Sequence, residues 1–208
     1  MMFFIASNEI IANDEKKPNF LFILVDDQPF DAVGFSGRYP FLKTPNIDKL
    51  ASEGVQFNQA YTNIAVCGAS RASILTGVRG SQARFVSYYS RADEDLPKAV
   101  DLAEIFKNNG YKTACIGKWH LGHLKKYMPL NHGFDSFYGI PYSNDMRPEG
   151  KWDYARNNFP PLPFLDGHDT IGVSLDQGNF IEMFTQRSID FIRQNKNNPF
   201  FIYLAHTA

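Results

Sequence analysis

The sequence has few cysteines, no block of like charge and no apolar run of membrane-spanning length. Its 208 residues contain two cysteines, Cys67 and Cys115, which cannot form the several cross-links of a disulfide framework. The 21 basic and 22 acidic residues are interspersed and give a formal net charge of -1, so the charge pattern indicates neither a nucleic acid nor an anionic membrane as a partner. No stretch approaches the roughly 18 apolar residues that a membrane span requires. We therefore expect neither a nucleic-acid partner nor a membrane partner.

The length and the apolar content fit one sizeable core. With 44% apolar residues, 208 residues are enough for one domain and short for two. The first residues, MMFFIASNEIIAND, are apolar in patches but lack the basic start and the sustained apolar run of a signal peptide. Residues 1–17 are interpreted as the remnant of an export leader or a frayed N-terminus, with an edge strand as the alternative.

The pattern along the chain predicts alternating strands and helices, which is an α/β fold with a largely parallel sheet. Strands are predicted at NFLFILV (19–25), VQFNQAYT (55–62), YKTACIG (111–117) and PFFIYLA (199–205). Helices are predicted at TPNIDKLASEG with Pro45 at its start, at Ala69–Thr76 before Gly77, at AVDLAEIFKNNG and at NFIEMFTQRSIDFIRQN. Residues 140–172, rich in Pro, Gly, Asp and Asn, are predicted to be an irregular surface excursion.

Polar residues follow two of the predicted strands, at the edge where an open α/β sheet places its site. Asp26 and Asp27 come directly after the first strand and offer hard oxygen ligands for Ca²⁺ or Mg²⁺; the alternative is a solvated turn. The segment GKWHLG follows the strand that ends at Ile116. In an extended chain Lys118 and His120 would point the same way, towards a site. The alternative is a surface lysine and a histidine with ordinary core partners.

A third candidate lies in the segment VCGASRASILTG, residues 66–77. If Ala69–Thr76 is a helix, Cys67 lies at its amino end, where unpaired N–H groups and the helix dipole favour an anion. Arg71 follows about one turn later, so its forked guanidinium can reach the same anion, and a tetrahedral oxyanion fits there. The alternative is a structural cysteine before an ordinary helix, which is the interpretation given to Cys115 inside its strand.

VCGASRASILTG resembles the signature of type I, formylglycine-dependent sulfatases: Cys, any residue, Pro or Ala, any residue, Arg, followed closely by Thr-Gly. Other segments resemble that family in the same order: PNFLFILVDDQ, KTPNIDKLASEGVQFNQAYT, GYKTACIGKWHLG, HGFDSFYGIPYSNDM and PFFIYLA. The resemblance covers residues 18–208 and implies an alkaline-phosphatase-like α/β fold with helices on both faces of the sheet. Ala69 stands where Pro is commoner, as an accepted variant.

The resemblance implies an arylsulfatase-like hydrolase of sulfate monoesters. In this family the motif cysteine is oxidised to formylglycine by a formylglycine-generating enzyme, and the hydrated aldehyde attacks sulfur and later releases sulfate. The resemblance thus implies that modified Cys67 is the nucleophile and also a metal ligand. It implies that Asp26 and Asp27 hold the divalent metal, with Ca²⁺ expected and Mg²⁺ as the alternative.

The resemblance assigns the remaining charges as well. Arg71 and Lys118 would balance the anionic hydrate and the sulfate, and His120 would hydrogen-bond the hydroxyl that loses its proton. The family adds an Asp-Asn pair, a catalytic histidine and another lysine further on, and His206 comes too early in the pattern to be that histidine. We therefore expect residues 18–208 to be the N-terminal part of a catalytic domain, and residues 1–208 alone to be inactive.

Three further inferences stay open. The resemblance favours an exported location, whether periplasmic, extracellular or lysosomal. One alternative function is a phosphatase or phosphonate monoester hydrolase of the same superfamily, because it binds the same tetrahedral geometry. Another alternative is a non-catalytic remnant that binds anions or a protein.

Overall fold

The computed structural model describes residues 2–4, 16–79, 101–148 and 159–207. The strands are β1 (Met2–Phe4), β2 (Phe20–Val25), β3 (Lys112–Lys118), β4 (Ser136–Ile140), β5 (Pro163–Asp166), β6 (Asp169–Val173) and β7 (Phe200–His206). The helices are α1 (Pro45–Glu53), α2 (Cys67–Thr76), α3 (Leu102–Asn108) and α4 (Phe180–Gln194), with short 3-10 turns between them. In the part of the chain that the structure describes, no helix is both long and apolar enough to cross a membrane.

The seven strands in the described residues form one sheet in the order β1-β2-β7-β3-β4-β5-β6. The central strands β2, β7, β3 and β4 are parallel, whereas β1, β5 and β6 pair antiparallel at the two edges. The sequence-based prediction of an α/β fold with a largely parallel sheet is confirmed. Strand β7 follows β6 along the chain but lies between β2 and β3, so a crossover connection brings it into the centre of the sheet.

Helices cover both faces of the sheet, and the alternation of side chains along β7 shows how. One set of its side chains packs with Ala69, Ala72 and Leu75 of α2 and Ala103 of α3, and consists of Phe201, Tyr203 and Ala205. The other set packs with Phe180 and Phe184 of α4, and consists of Phe200, Ile202 and Leu204. Because successive residues of a strand face opposite sides, an uninterrupted apolar run such as PFFIYLA supplies both cores.

The helices begin and end close to the predicted positions. Pro45 is the first residue of α1, where its missing N–H costs nothing. Gly77 has a φ of 68° after α2, and its N–H bonds to the Ser73 carbonyl at 2.9 Å, which satisfies one free carbonyl at the helix end. The start of the helix predicted at 99–110 falls partly outside the described residues, and α3 itself spans Leu102–Asn108.

Two predictions were wrong. Residues 55–62 form no strand: Val55, Phe57 and Tyr61 are 75%, 70% and 85% exposed, so an alternating pattern here reflects no buried face. The excursion predicted at 140–172 contains the β5–β6 hairpin, with Gly167 at a φ of 63° in its two-residue turn. The turn residues are Gly167 and His168, and a glycine at the first position of a two-residue turn is a hairpin signal that the sequence interpretation missed. The part of this excursion at 149–158 lies outside the described residues.

Of the first 15 residues, the structure describes only residues 2–4. Residues 2–4 form β1, which pairs antiparallel with β2 and places Met2 opposite Leu24. Residue 1 and residues 5–15 lie outside the described residues.

Two glycines, Gly117 and Gly139, allow β7, β3 and β4 to lie close together beside Lys118. Gly117 has a φ of 108°, and a Cβ at that position would lie 1.9 Å from the carbonyl oxygen of Ala205 on β7. On the other side, a Cβ on Gly139 of β4 would lie 2.0 Å from the Gly117 carbonyl oxygen. The close spacing of β7, β3 and β4 at this edge therefore depends on glycines, which have no side chain.

Gly117→Ala is expected to lower the free energy of unfolding by about 3 kcal/mol or more, because it combines a positive φ with a clash against a strand carbonyl. Urea denaturation followed by circular dichroism measures the loss. Gly37→Ala is the matched control: Gly37 also has a positive φ, 67°, but a Cβ there meets no atom within 4 Å. We expect about 1 kcal/mol for that change. Equal losses in the two variants would contradict the role given to the strand contact.

Candidate active site

The carboxyl ends of three adjacent strands define the site. Asp26 follows β2, and Lys118 is the last residue of β3. The strand between them is β7, whose His206 carbonyl accepts the Asp26 N–H at 3.2 Å. Asp26 and Lys118 therefore flank the end of β7, at the edge where open α/β sheets bind their ligands.

Helix α2 brings Arg71 to this edge from one face of the sheet. Gly68, Ala69 and Ala72 are buried residues of the helix, and their small size lets the helix pack closely on the strands. Arg71 is 1% exposed, and its Nη1 donates to the Lys118 carbonyl oxygen at 2.6 Å and lies 3.5 Å from the Tyr203 hydroxyl. The guanidinium is thus anchored to the backbone of β3.

One carboxylate oxygen pairs with two buried cations. Lys118 Nζ donates to Asp26 Oδ2 and, at 2.9 Å, to Ser143 Oγ. Arg71 Nη2 lies 3.6 Å from the same Asp26 oxygen. The two cationic side chains are 1% and 2% exposed and that of Asp26 is 16% exposed, so this cluster holds two positive charges and one negative charge away from bulk water.

The guanidinium of Arg71 has two nitrogen donors that make no hydrogen bond within the described residues. Its Nε and Nη2 are buried and make no hydrogen bond to the residues that the structure describes. Buried donors without a hydrogen bond are costly, and an anion would both accept from these donors and balance the excess positive charge of the cluster. The arrangement is therefore suited to an oxyanion with several oxygens.

Tyr203 and Cys115 line the same side of the sheet as neutral groups. Burial raises the pKa of the Tyr203 phenol to about 12, although the nearby Arg71 guanidinium opposes that shift. Burial likewise raises the pKa of the Cys115 thiol. Neither group carries charge at neutral pH, so the negative charge available to Arg71 comes from Asp26.

The other predicted residues lie beside this cluster along the chain. Cys67 is the first residue of α2, partly exposed and about one turn before Arg71. Asp27 is exposed with a φ of 54°. His120 is 3% exposed, and its backbone N–H donates to the Pro141 carbonyl at 3.1 Å. The φ of His120 is 60°, so the chain is not extended beyond β3. The prediction that the side chains of Lys118 and His120 point the same way assumed an extended chain.

Two residues at the site were not singled out from the sequence. Ser143 follows β4 at the same edge of the sheet, but β4 was not among the strands predicted from the sequence, so the strand-end rule that selected Asp26 could not reach it. Tyr203 lies inside an apolar strand and gives no such signal. The side chain of His206 lies on the opposite face of the sheet from Arg71: its ring centroid is 6.3 Å from that of Phe184 of α4, and burial lowers the pKa of its imidazole.

The carboxylates of Asp26 and Asp27 match the ligand chemistry of a hard divalent cation. Two carboxylates supply only part of the six to eight oxygens that Ca²⁺ takes. Within residues 2–4, 16–79, 101–148 and 159–207, no group of three or more His, Cys, Asp or Glu could hold a metal ion. These residues therefore fit part of a metal site.

A family model for sulfatases matches residues 18–208. The chain belongs to the sulfatase family. This sulfatase chain is 32% identical to N-acetylgalactosamine-6-sulfatase of Homo sapiens, over 92% of its own length and 39% of that protein. It is 33% identical to arylsulfatase G of Mus musculus, over 91% of its own length and 41% of that protein. The sulfatase chain thus spans about two fifths of the length of these curated relatives, from 39% to 41%.

A solved sulfatase structure, that of PsFucS1 sulfatase from Pseudoalteromonas sp., superposes with a TM-score of 0.75 at 28% identity, covering 92% of this chain and 44% of that chain. The crystal structure of Ps i-CgsB in complex with k-i-k-neocarrahexaose superposes with a TM-score of 0.77 at 27% identity, covering 93% of this sulfatase chain and 45% of that chain. The resemblance drawn from the sequence motifs is therefore confirmed at the level of family and fold.

Proposed function

We propose that this protein is a sulfate ester hydrolase whose anion site is built on Arg71 and Lys118. The observation that carries the proposal is the buried cluster in which these two cations share one carboxylate, with Arg71 Nε and Nη2 making no hydrogen bond to the described residues. A planar guanidinium matches adjacent oxygens of a tetrahedral anion in a forked geometry. Membership of the sulfatase family favours sulfate as that anion.

Cys67 is the proposed nucleophile position, after conversion to formylglycine by a formylglycine-generating enzyme. A formylglycine here would supply a hydrated aldehyde, with one hydroxyl to attack sulfur and a second to release the sulfate. Three features support this assignment: Cys67 is partly exposed, begins α2 and precedes Arg71 by about one turn. The amino end of α2 stabilises negative charge at position 67 through its dipole and its free N–H groups.

The surrounding residues have distinct proposed roles. Arg71 and Lys118 hold the sulfate group and stabilise negative charge that grows on it, while Ser143 orients the Lys118 ammonium. His120 is proposed to hold the proton that leaves a hydroxyl at position 67. Asp26 and Asp27 are the proposed oxygen ligands of a divalent metal, Ca²⁺ in the first place, whose chemistry is to polarise the sulfate.

The names of two relatives support a proposed substrate class. N-acetylgalactosamine-6-sulfatase and arylsulfatase G are named for sulfated sugars and sulfated aryl compounds. We propose a sulfate monoester of a sugar or aryl alcohol as the substrate of this protein. Steady-state hydrolysis of 4-nitrophenyl sulfate and 4-nitrophenyl phosphate by the product of the full reading frame tests the proposal. Preference for the phosphate ester by kcat/KM would overturn it in favour of the phosphatase alternative.

Modification of Cys67 gives an independent prediction. When the protein is co-produced with a formylglycine-generating enzyme, a peptide that contains Cys67 is expected as the aldehyde and should resist thiol alkylation. Cys115 serves as the internal control, because it is a free and fully buried cysteine that should alkylate normally after denaturation. Mass spectrometry of the digested protein measures both. A Cys67 peptide found only as the alkylated thiol would contradict the assignment.

A further inference from the structure

The two cations proposed to hold sulfate are already paired with a carboxylate of the chain. Lys118 Nζ donates to Asp26 Oδ2, and Arg71 Nη2 lies 3.6 Å from the same oxygen. A carboxylate and a sulfate are both oxyanions, and both satisfy the donors of an ammonium or a guanidinium. Asp26 and a sulfate therefore require the same partners.

The cations are held in place more firmly than the carboxylate. Arg71 Nη1 is anchored to the Lys118 carbonyl at 2.6 Å, and Lys118 Nζ is also held by Ser143 Oγ at 2.9 Å. Asp26 lies just beyond the end of β2, is the most exposed of the three charged side chains, and precedes Asp27, whose φ is positive. A rotation about the Asp26 side-chain bonds changes its partner while the two cations stay where the helix and the strand fix them.

We propose that the Asp26 carboxylate is an internal anion that competes with sulfate for Lys118 and Arg71, and that a divalent cation on Asp26 and Asp27 relieves this competition. The inference rests on the anion site of the proposed function and adds a coupling between two ligands. Without the divalent cation, a sulfate must share two positive charges with a carboxylate that repels it. With the cation, the carboxylate has a second positive partner, so sulfate and metal bind cooperatively.

Linkage gives this proposal a quantitative form. If the divalent cation raises the affinity for sulfate by some factor, sulfate raises the affinity for the cation by the same factor. We expect a factor on the order of ten, within the range of about 5- to 150-fold that couplings of this kind reach.

Isothermal titration calorimetry of inorganic sulfate with the unmodified full chain, with and without Ca²⁺ at matched ionic strength, tests the coupling. For the unchanged protein, Ca²⁺ is expected to tighten sulfate binding about tenfold, and saturating sulfate to tighten Ca²⁺ binding equally. Asp26→Asn keeps the shape of the side chain and removes its charge. This variant should bind sulfate about tenfold more tightly without Ca²⁺, and Ca²⁺ should no longer change that affinity.

Asp27→Asn is the matched control, because it removes a proposed metal ligand and leaves the Asp26 contacts with Lys118 and Arg71 in place. It should lose the Ca²⁺ effect without the gain in sulfate affinity. Equal sulfate affinity in Asp26→Asn and the unchanged protein would overturn the competition and leave the anion site standing. Sulfate and Ca²⁺ affinities that are independent of each other in the unchanged protein, where folding is not in question, would overturn it as well. Failure of every variant to bind sulfate would overturn the anion site, and the proposed function with it.

Discussion

Cys67→Ala is expected to lower the turnover of 4-nitrophenyl sulfate by the product of the full reading frame by at least about 10⁴-fold, as removal of a catalytic nucleophile does. The alanine keeps the start of α2 intact but offers neither a thiol to modify nor a hydroxyl to attack sulfur. The initial rate of 4-nitrophenol release measures the effect. A rate within tenfold of the unchanged protein would show that position 67 is not the nucleophile.

Cys115→Ala is the matched control for this experiment. Cys115 is fully buried in β3, so its replacement removes a packed side chain and is expected to lower the free energy of unfolding by about 1 to 2 kcal/mol. The turnover should remain, because nothing places this thiol among the reacting groups. Cys67→Ser adds a further distinction, since serine has a single hydroxyl. A serine that attacked sulfur would stay sulfated, which intact mass spectrometry detects.

Arg71→Lys is expected to lower kcat/KM for 4-nitrophenyl sulfate about 10³-fold, even though the positive charge is kept. The guanidinium uses Nη1 to reach the Lys118 carbonyl and still presents Nε and Nη2 in a plane. An ammonium is a point charge and cannot make both sets of contacts. Two buried ammonium groups, at positions 71 and 118, would also face the same carboxylate without the fixed spacing that the helix and the strand now set.

Arg187→Lys is the control for this second change. Arg187 Nη2 donates to both oxygens of Asp166, at 2.7 and 2.6 Å, but this pair is 40% exposed and lies between α4 and the β5 edge. Exposed ion pairs contribute little, so kcat/KM should change less than about twofold. A loss of less than tenfold in Arg71→Lys would show that charge alone, and not the fork of the guanidinium, is what the site needs.

The sequence predicted the site best where local pattern and strand ends agree. The run NFLFILV followed by Asp26-Asp27 gave both a buried strand and the polar residues at its carboxyl end, and the structure places Asp26 in the cluster. The helix predicted at Ala69–Thr76 is likewise present, although it begins earlier, at Cys67, and Gly77 marks its end as predicted. These features depend on a few neighbouring residues, which is why a single sequence contains them.

The pairings within the site could not be predicted in the same way. The contact between Lys118 and Asp26 joins residues 92 positions apart, and it depends on β7, a strand far along the chain from both β2 and β3, lying between them. Nothing in the alternation or the turn residues states that order. The roles of Ser143 and Tyr203 depend on the same neighbourhood. At Val55 and Phe57 the error was the reverse: the alternating pattern predicted a strand, but these residues are exposed and do not pair with the sheet.

The central place of β7 also affects how the protein forms during synthesis. Its two neighbours, β2 and β3, are synthesised well before the ribosome reaches Phe200. Until β7 is made, the edge of each strand that later pairs with β7 has no hydrogen-bonding partner strand. Strand pairings between distant parts of a chain form slowly, and unpaired strand edges can pair with other chains and so lead to aggregation. A nascent chain that stalls before Phe200 therefore has neither a continuous sheet nor a bridge between Asp26 and Lys118, and it is the species on which we expect chaperones to act.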